Sequence, residues 1–307
     1  MKKRYELSCS MTATQSLLLK KGPIEARFSS LGAECTGLRV RGLEYLWQAN
    51  PSIWGRHAPI LFPIVGRLRE DRYRYQGKTY PLSQHGFARD REFSVIEQSK
   101  DRLVFLLESD DKSLSIYPFA FALQIVYQLT DTGMRVAYRV SNPDPNRDLW
   151  YSIGAHPGFN CPLEPEIEGF EDYGLDFGSS ALDSLSVYTL KNGLIGSKRE
   201  VLSLQEGKLD LRWELFQNDA LIFDVGPTTS VSVRSQKTGK GYAMDFGEFR
   251  WLGIWTKQQD AGFLCLEPWN GIADAYDHDG LLQNKRGVDV LSPGEQREVG
   301  FSLTLFD

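Results

Sequence analysis

Long apolar runs are missing from this 307-residue chain. No stretch approaches the ~18 consecutive apolar residues that a membrane helix requires, so no spanning segment is expected. The opening Met1-Lys2-Lys3-Arg4 is basic, but the residues after it lack the apolar core of a secretory signal, and a cytoplasmic location is the expectation. Cysteine is scarce. Cys9, Cys35, Cys161 and Cys265 are far apart and form no C-x-x-C pair, which argues against a zinc knuckle or redox motif and for free buried thiols in a reducing compartment. The four histidines, His57, His85, His156 and His278, show neither i, i+2 nor i, i+4 spacing, so no metal is expected. The signatures G-x-S-x-G, P-loop and G-x-G-x-x-G are all absent, and with them the usual marks of covalent hydrolases, nucleotide sites and dinucleotide cofactors. No cofactor is expected. The net charge is −5 at pH 7, and no like-charge run is longer than Lys2-Lys3-Arg4. Without a basic stripe, neither nucleic acid nor a membrane surface is an expected partner.

Core-forming residues are plentiful, at 41% hydrophobic against 24% charged. The pattern is one of short strands cut by glycine and proline. FSVIEQ and LVFLLES precede FALQIVYQL, which meets MRVAYRV across Asp131-Thr132-Gly133; Met134, Val136, Tyr138 and Val140 share one face, with Arg135 and Arg139 on the other. LDLRWEL, ALIFDV, VSVRSQ, WLGIWT, FLCLE and REVGFSLTLF continue in the same style. Prolines at 51, 59, 63 and 81 make the region between them a loop with short edge strands, and residues 163–200 carry weak pattern that suggests excursions off a sheet. No convincing helix is present, although WELFQNDAL is long enough for two turns. The expectation is an all-β antiparallel sandwich in one domain over 1–307, with residues 1–15 a tail or first edge strand.

Two stretches hold the candidate chemistry. In LWYSIGAHPGFNCP and FLCLEPWNG, His156 and Glu267 each stand directly before proline, which restricts the preceding backbone to extended conformations. Alternation puts Trp150, Ser152, Gly154 and His156 on one face and Phe263, Cys265 and Glu267 on another. An imidazole and a carboxylate suit acid–base work near neutral pH; the plainer alternative is a capped histidine and an exposed glutamate at a strand end. His85 in QHGFARD, with Arg89 four residues on, and Arg67 after Gly66 are candidates to donate to a bound hydroxyl, carboxylate or phosphate. Asp224 closes ALIFD, where it could take vicinal hydroxyls or start a turn. Trp54, Phe159, Trp255 and Trp269 flank these groups and could stack on a sugar face or fill the core.

WGRHAPILFPIVGRL, QHGFARDREF, YSIGAHPGFNCPL, ALIFDV and LGIWTKQQDAGFLCLEPWNGIAD, in this order, resemble the aldose 1-epimerase (galactose mutarotase) family, in particular its bacterial branch. The resemblance runs from about residue 20 to the C-terminus. It implies a large antiparallel supersandwich with a sugar groove on one sheet, and interconversion of the α and β anomers of a free aldose without metal or cofactor. By this likeness Glu267 would be the base at the C1 hydroxyl and His156 the acid at the ring oxygen. His85, Arg67, Arg89, Asp224 and Trp269 would bind the sugar. A related branch acts on hexose 6-phosphates and commonly has arginine before the His-Gly pair, where this chain has Gln84. A hexose-6-phosphate mutarotase and a non-catalytic carbohydrate-binding protein are the alternatives, and a glycosidase using Glu267 with Asp224 is a third. A monomer or homodimer is expected.

Overall fold

In the computed structural model, described over residues 17–179, 182–226 and 228–307, the alternating segments become two large antiparallel sheets packed face to face. Residues 1–15, including Cys9, lie outside the described residues. The first sheet has nine strands, in the order Lys208–Asp210, Tyr173–Asp176, Ser230–Ser235, Gly241–Asp245, Gln296–Phe306, Gly133–Ser141, Ala122–Leu129, Arg102–Glu108 and Ser94–Gln98. The second runs Leu194–Ser203, Ser184–Lys191, Leu221–Asp224, Trp251–Trp255, Phe263–Asn270, Ile153–Ala155 and Ile60–Leu61, with Gly158–Asn160 also paired to Phe263–Asn270. A four-stranded sheet begins at Leu17–Lys21.

Burial decides which way each strand faces. In the nine-stranded sheet Met134, Val136, Tyr138 and Val140 lie beside Val299, Phe301, Leu303 and Leu305 in one apolar core. Arg135 and Arg139 point the opposite way and pair with Glu298. The second sheet contributes Leu252, Ile254, Leu264 and Leu266 to that same core. Cutting a buried leucine to alanine costs about 2–5 kcal/mol, so Leu264 and Leu266 hold the register of Phe263–Asn270 firmly. A one-residue slip would turn every side chain over. With the leucines facing inward, Phe263, Cys265, Glu267 and Trp269 must face the other side of the sheet.

Two stretches differ from the sequence reading. Residues 163–200 are not excursions: Tyr173–Asp176 joins the nine-stranded sheet, and Ser184–Lys191 with Leu194–Ser203 forms the outer hairpin of the second. Most of Leu194–Ser203 is exposed on both faces, so an edge strand there has no alternation to display. One six-residue helix, Asp111–Ile116, also escaped the pattern; a reciprocal Asp110–Ser113 capping box starts it, and it is too short to show a helical period. WELFQNDAL forms only a 3₁₀ turn over Trp213–Phe216.

Candidate active site

The groove lies on the outer face of the second sheet, and two glycines make room for its floor. A β-carbon on Gly154 would sit 2.7 Å from the Trp269 ring, and one on Gly253 would sit 2.9 Å from it and 3.3 Å from the Glu267 β-carbon. Because both neighbours lack side chains, the Trp269 indole lies across them, held by its Nε1–H to the Ala155 carbonyl at 3.1 Å. Glu267 stands two residues earlier on the same face and is 1% exposed, so it is not the exposed strand-end glutamate of the plainer reading.

His156 leaves the Ile153–Ala155 strand, where its N–H donates to the Pro59 carbonyl at 3.1 Å. That brings Nε2 to 3.1 Å from Glu267 Oε2. Trp54 stacks on the imidazole with ring centroids 4.9 Å apart, and Trp255 meets it at a near-right angle. Burial pushes His156 down to about 3, helped by the Arg89 and Arg56 charges, although a backbone hydrogen bond opposes it. Burial, with the Asp219 carboxylate, holds Glu267 well above the usual glutamate range. Both effects favour the uncharged pair, a carboxylic acid beside a neutral imidazole. His156 Nδ1 and Glu267 Oε2 are buried without a well-formed hydrogen bond. Such atoms are costly to leave in a fold, and they stand ready for a ligand.

His85 is fixed by its backbone. Its φ of 68° and that of Gly86, 72°, turn the chain so that Gly86 passes close under the Phe62 carbonyl, where a β-carbon would lie 2.3 Å from the oxygen. The His85 N–H donates to Gly66 O at 3.0 Å, and Gly66 N–H donates back to Nδ1 at 3.2 Å. Since Nδ1 accepts, the proton of the neutral ring is on Nε2. Burial keeps His85 well below its ordinary value, helped by the repulsion that any proton on His156 and the Arg89 charge would exert, so it is an uncharged donor. The Gln84 amide nitrogen lies 3.2 Å from Nε2, and the amide turned end for end would bring its oxygen there to accept. Arg89 donates to the Gln84 carbonyl at 2.7 Å and braces this loop from the groove wall.

The resulting groove, of about 720 Å³, brings His85, Arg89, His156, Glu267 and Trp269 together with Trp54 and Trp255. It does not bring in Arg67 or Asp224. Arg67 forms a bidentate pair with Asp71 at 2.9 Å and donates to the Asn192 carbonyl; the guanidinium is spent outside the groove. Asp224 pairs with Arg199 at 2.6 Å and accepts from the Tyr188 hydroxyl at 3.0 Å. Alternation puts Asp224 on the same face as Ile222, which lines the groove, but Asp224 stands two residues further along the strand, where Arg199 and the Tyr188 hydroxyl hold it outside. The carboxylate that lines it besides Glu267 is Asp219, in the turn before that strand, with φ of 87°. The Asn218-Asp219 pair was its only sequence signal, because both residues favour such turns. Thr256, Lys257 and Gln258 also line the groove and were not singled out, since loop side chains carry no periodicity. Phe159 is core: it is fully buried and stacks on Tyr242.

Among the described residues, no helix is long and apolar enough to cross a membrane. Cys35, Cys161 and Cys265 are free and buried.

Comparison with known proteins places this geometry in context. The chain is 34% identical over 296 residues to the chromosomal protein LacX of Lactococcus lactis subsp. lactis, covering 94% of this chain and 99% of that one. A galactose mutarotase related enzyme from Lactobacillus acidophilus superimposes with a TM-score of 0.90 at 35% identity, covering 95% of this chain and 98% of the other. A galactose mutarotase-like protein from Lactobacillus casei gives 0.87 at 28% identity, covering 95% and 100%. Both have the sandwich described above. The family model described as Aldose 1-epimerase matches residues 15–280, and the chain belongs to the aldose 1-epimerase family.

Proposed function

We propose that the protein is a mutarotase that interconverts the α and β anomers of a free hexose. The observation that carries this reading is the 3.1 Å contact between His156 Nε2 and Glu267 Oε2 inside an open, aromatic-sided groove. Ring opening requires one proton to leave the C1 hydroxyl and one to reach the ring oxygen. Glu267 takes the first and His156 supplies the second; the bond from C1 to the ring oxygen breaks and an open-chain aldehyde forms. Rotation about C1–C2 presents the other face, and reclosure runs the same transfers backwards.

The proton count of the pair matters more than where the proton rests. Carboxylate with imidazolium and carboxylic acid with imidazole hold the same single proton. Ring opening converts the first form to the second, and burial favours the uncharged form. The site therefore favours the direction in which the ring opens, while the attraction between opposite charges supports the starting form. Acid–base groups placed in this way contribute about 10²–10⁴-fold each.

His85, as a neutral Nε2–H donor, and Arg89 orient the sugar, with Trp269 beneath it and Asp219 taking hydroxyls at the far wall. A free sugar is favoured over a hexose 6-phosphate because Arg67, one of the two arginines on which phosphate binding would depend, is committed to Asp71. The test is polarimetry on freshly dissolved α-glucose, α-galactose and glucose 6-phosphate. Acceleration of a free sugar supports the proposal. Acceleration of the phosphate alone would shift it to the phosphorylated substrate, and binding without acceleration would make the protein a carbohydrate-binding module.

A further inference from the structure

We infer that His156, Cys265 and Glu267 form a latent site for a thiophilic divalent cation such as Zn²⁺ or Cd²⁺, and that its occupation blocks the acid–base pair. One donor atom from each residue lies within 4.8 Å of the other two. The imidazole and carboxylate donors are already 3.1 Å apart. In a tetrahedral zinc site with bonds of 2.0–2.3 Å, neighbouring ligand atoms are about 3.3–3.6 Å apart, so the widest pair here needs to close by only about an ångström.

The fold puts these donors together for reasons unrelated to metal. Cys265 and Glu267 are two apart on Phe263–Asn270 and so share a face, while His156 arrives from the neighbouring strand end. No spacing of histidines in the sequence could have shown it. Glu267 Oε2, 1% exposed at the residue level, without a well-formed hydrogen bond and 3.1 Å from His156 Nε2, is an unspent ligand atom among the three. Nitrogen, sulfur and oxygen together form the mixed set that zinc accepts and that magnesium and calcium do not. His156 and Glu267 line the groove, so the fourth position is open to water or a sugar hydroxyl. Coordination is not redox chemistry: the thiol proton of Cys265 and the single proton held by the His156–Glu267 pair are both released to solvent, and no electron moves. A cation here takes up both proton-carrying groups. It is an inhibitor rather than a cofactor.

The binding part of this inference stands apart from the proposed function; only the inhibition part rests on it. The experiment is a Co²⁺ titration of the full chain followed by absorption, then competition with Zn²⁺. One tightly bound cobalt with a thiolate-to-cobalt charge-transfer band and tetrahedral visible bands is expected. Cys265→Ala should lose the band and weaken zinc at least about tenfold, given that even outer partners of a metal ligand are worth 10–100-fold. Cys9→Ala, Cys35→Ala and Cys161→Ala should keep both. Absence of the thiolate band from the wild-type protein, or equal zinc affinity in Cys265→Ala, would overturn the site, and the wild-type spectrum decides even if that variant does not fold. In the activity arm, zinc should slow anomerisation at least tenfold and a chelator should restore it. A thiolate band without anomerisation would keep the site and remove the proposed function; anomerisation without the band would do the reverse.

Discussion

Two glutamates are almost equally buried in this molecule, Glu168 at 5% exposed and Glu267 at 1%, and their surroundings could hardly differ more. Glu168 accepts from the hydroxyls of Tyr173, Ser235 and Thr238 and from the Glu164 N–H. Burial alone would raise it, but those donors, led by Ser235 and Tyr173, hold it below the usual glutamate range. Glu267 has His156 beside it but no well-formed hydrogen bond to the oxygen that faces the imidazole, and burial, with the Asp219 charge, raises it. Burial does not separate a structural carboxylate from a chemical one. The count of donors does, because a satisfied carboxylate has no lone pair left for a substrate and an unsatisfied one destabilises the fold until a substrate arrives.

The largest effect that could break this contrast is on rate. Glu267→Gln keeps the shape and removes the proposed base, so anomerisation should fall by about 10²–10⁴-fold while weak sugar binding persists, measured by polarimetry and by ligand-detected NMR. Glu168→Gln should leave kcat within a few-fold and instead lower stability by about 1–3 kcal/mol, because an amide group must now face hydroxyls that were donating. Urea unfolding of both variants is the check.

The pH dependence of stability sharpens the same comparison, with opposite signs. Glu267 is raised in the folded state, so its stabilising effect is complete below the unfolded value of about 4.3 and is lost as pH rises toward the folded value. Glu267→Gln should therefore gain on the wild type progressively as pH rises above about 4.3. Glu168 is lowered, so its contribution is present above about 4.3 and is lost as pH falls through the folded value. Acid unfolding of Glu168→Gln should be shallower than that of the wild type. A Glu267→Gln protein that loses stability toward higher pH as the wild type does would break the assignment.

The smallest expected effects separate two aspartates. Asp219→Asn removes a groove carboxylate whose charge helps to raise Glu267, and KM for sugar should rise more than kcat changes. Asp224→Asn breaks a partly exposed pair with Arg199, worth at most about 1 kcal/mol, and should leave both constants near wild type. Steady-state kinetics on the two variants side by side would show whether the groove ends at Asp219.

The sandwich was legible because its strands bury one face each. The alternation of Met134 to Val140 and of Val299 to Leu305 is the core itself, written with a period of two. The outermost strand of the second sheet, Leu194–Ser203, was not legible, since an edge strand with two exposed faces has no such constraint. The same division runs through the site. Residues whose neighbour fixes the local backbone, His156 and Glu267 before the stiff proline and His85 before a glycine that permits a left-handed turn and close approach, could be picked out because local chemistry marks them. Arg67 and Asp224 misled because a charged side chain at a strand end looks the same whether it faces a groove or a partner. Asp71 and Arg199 decide that, and no local pattern ties Arg199 to Asp224, 25 positions away. Asp219, Thr256, Lys257 and Gln258 enter the groove through loop geometry that only the folded chain specifies.

Anomeric exchange NMR on α- and β-glucose, with wild-type protein, Glu267→Gln and His156→Gln, tests the central claim most directly. The wild type should exchange the two anomeric protons rapidly, and each variant should slow that exchange by about 10²–10⁴-fold while the fold and groove persist. A variant of either residue that exchanges the anomers at the wild-type rate would contradict the assignment of the pair.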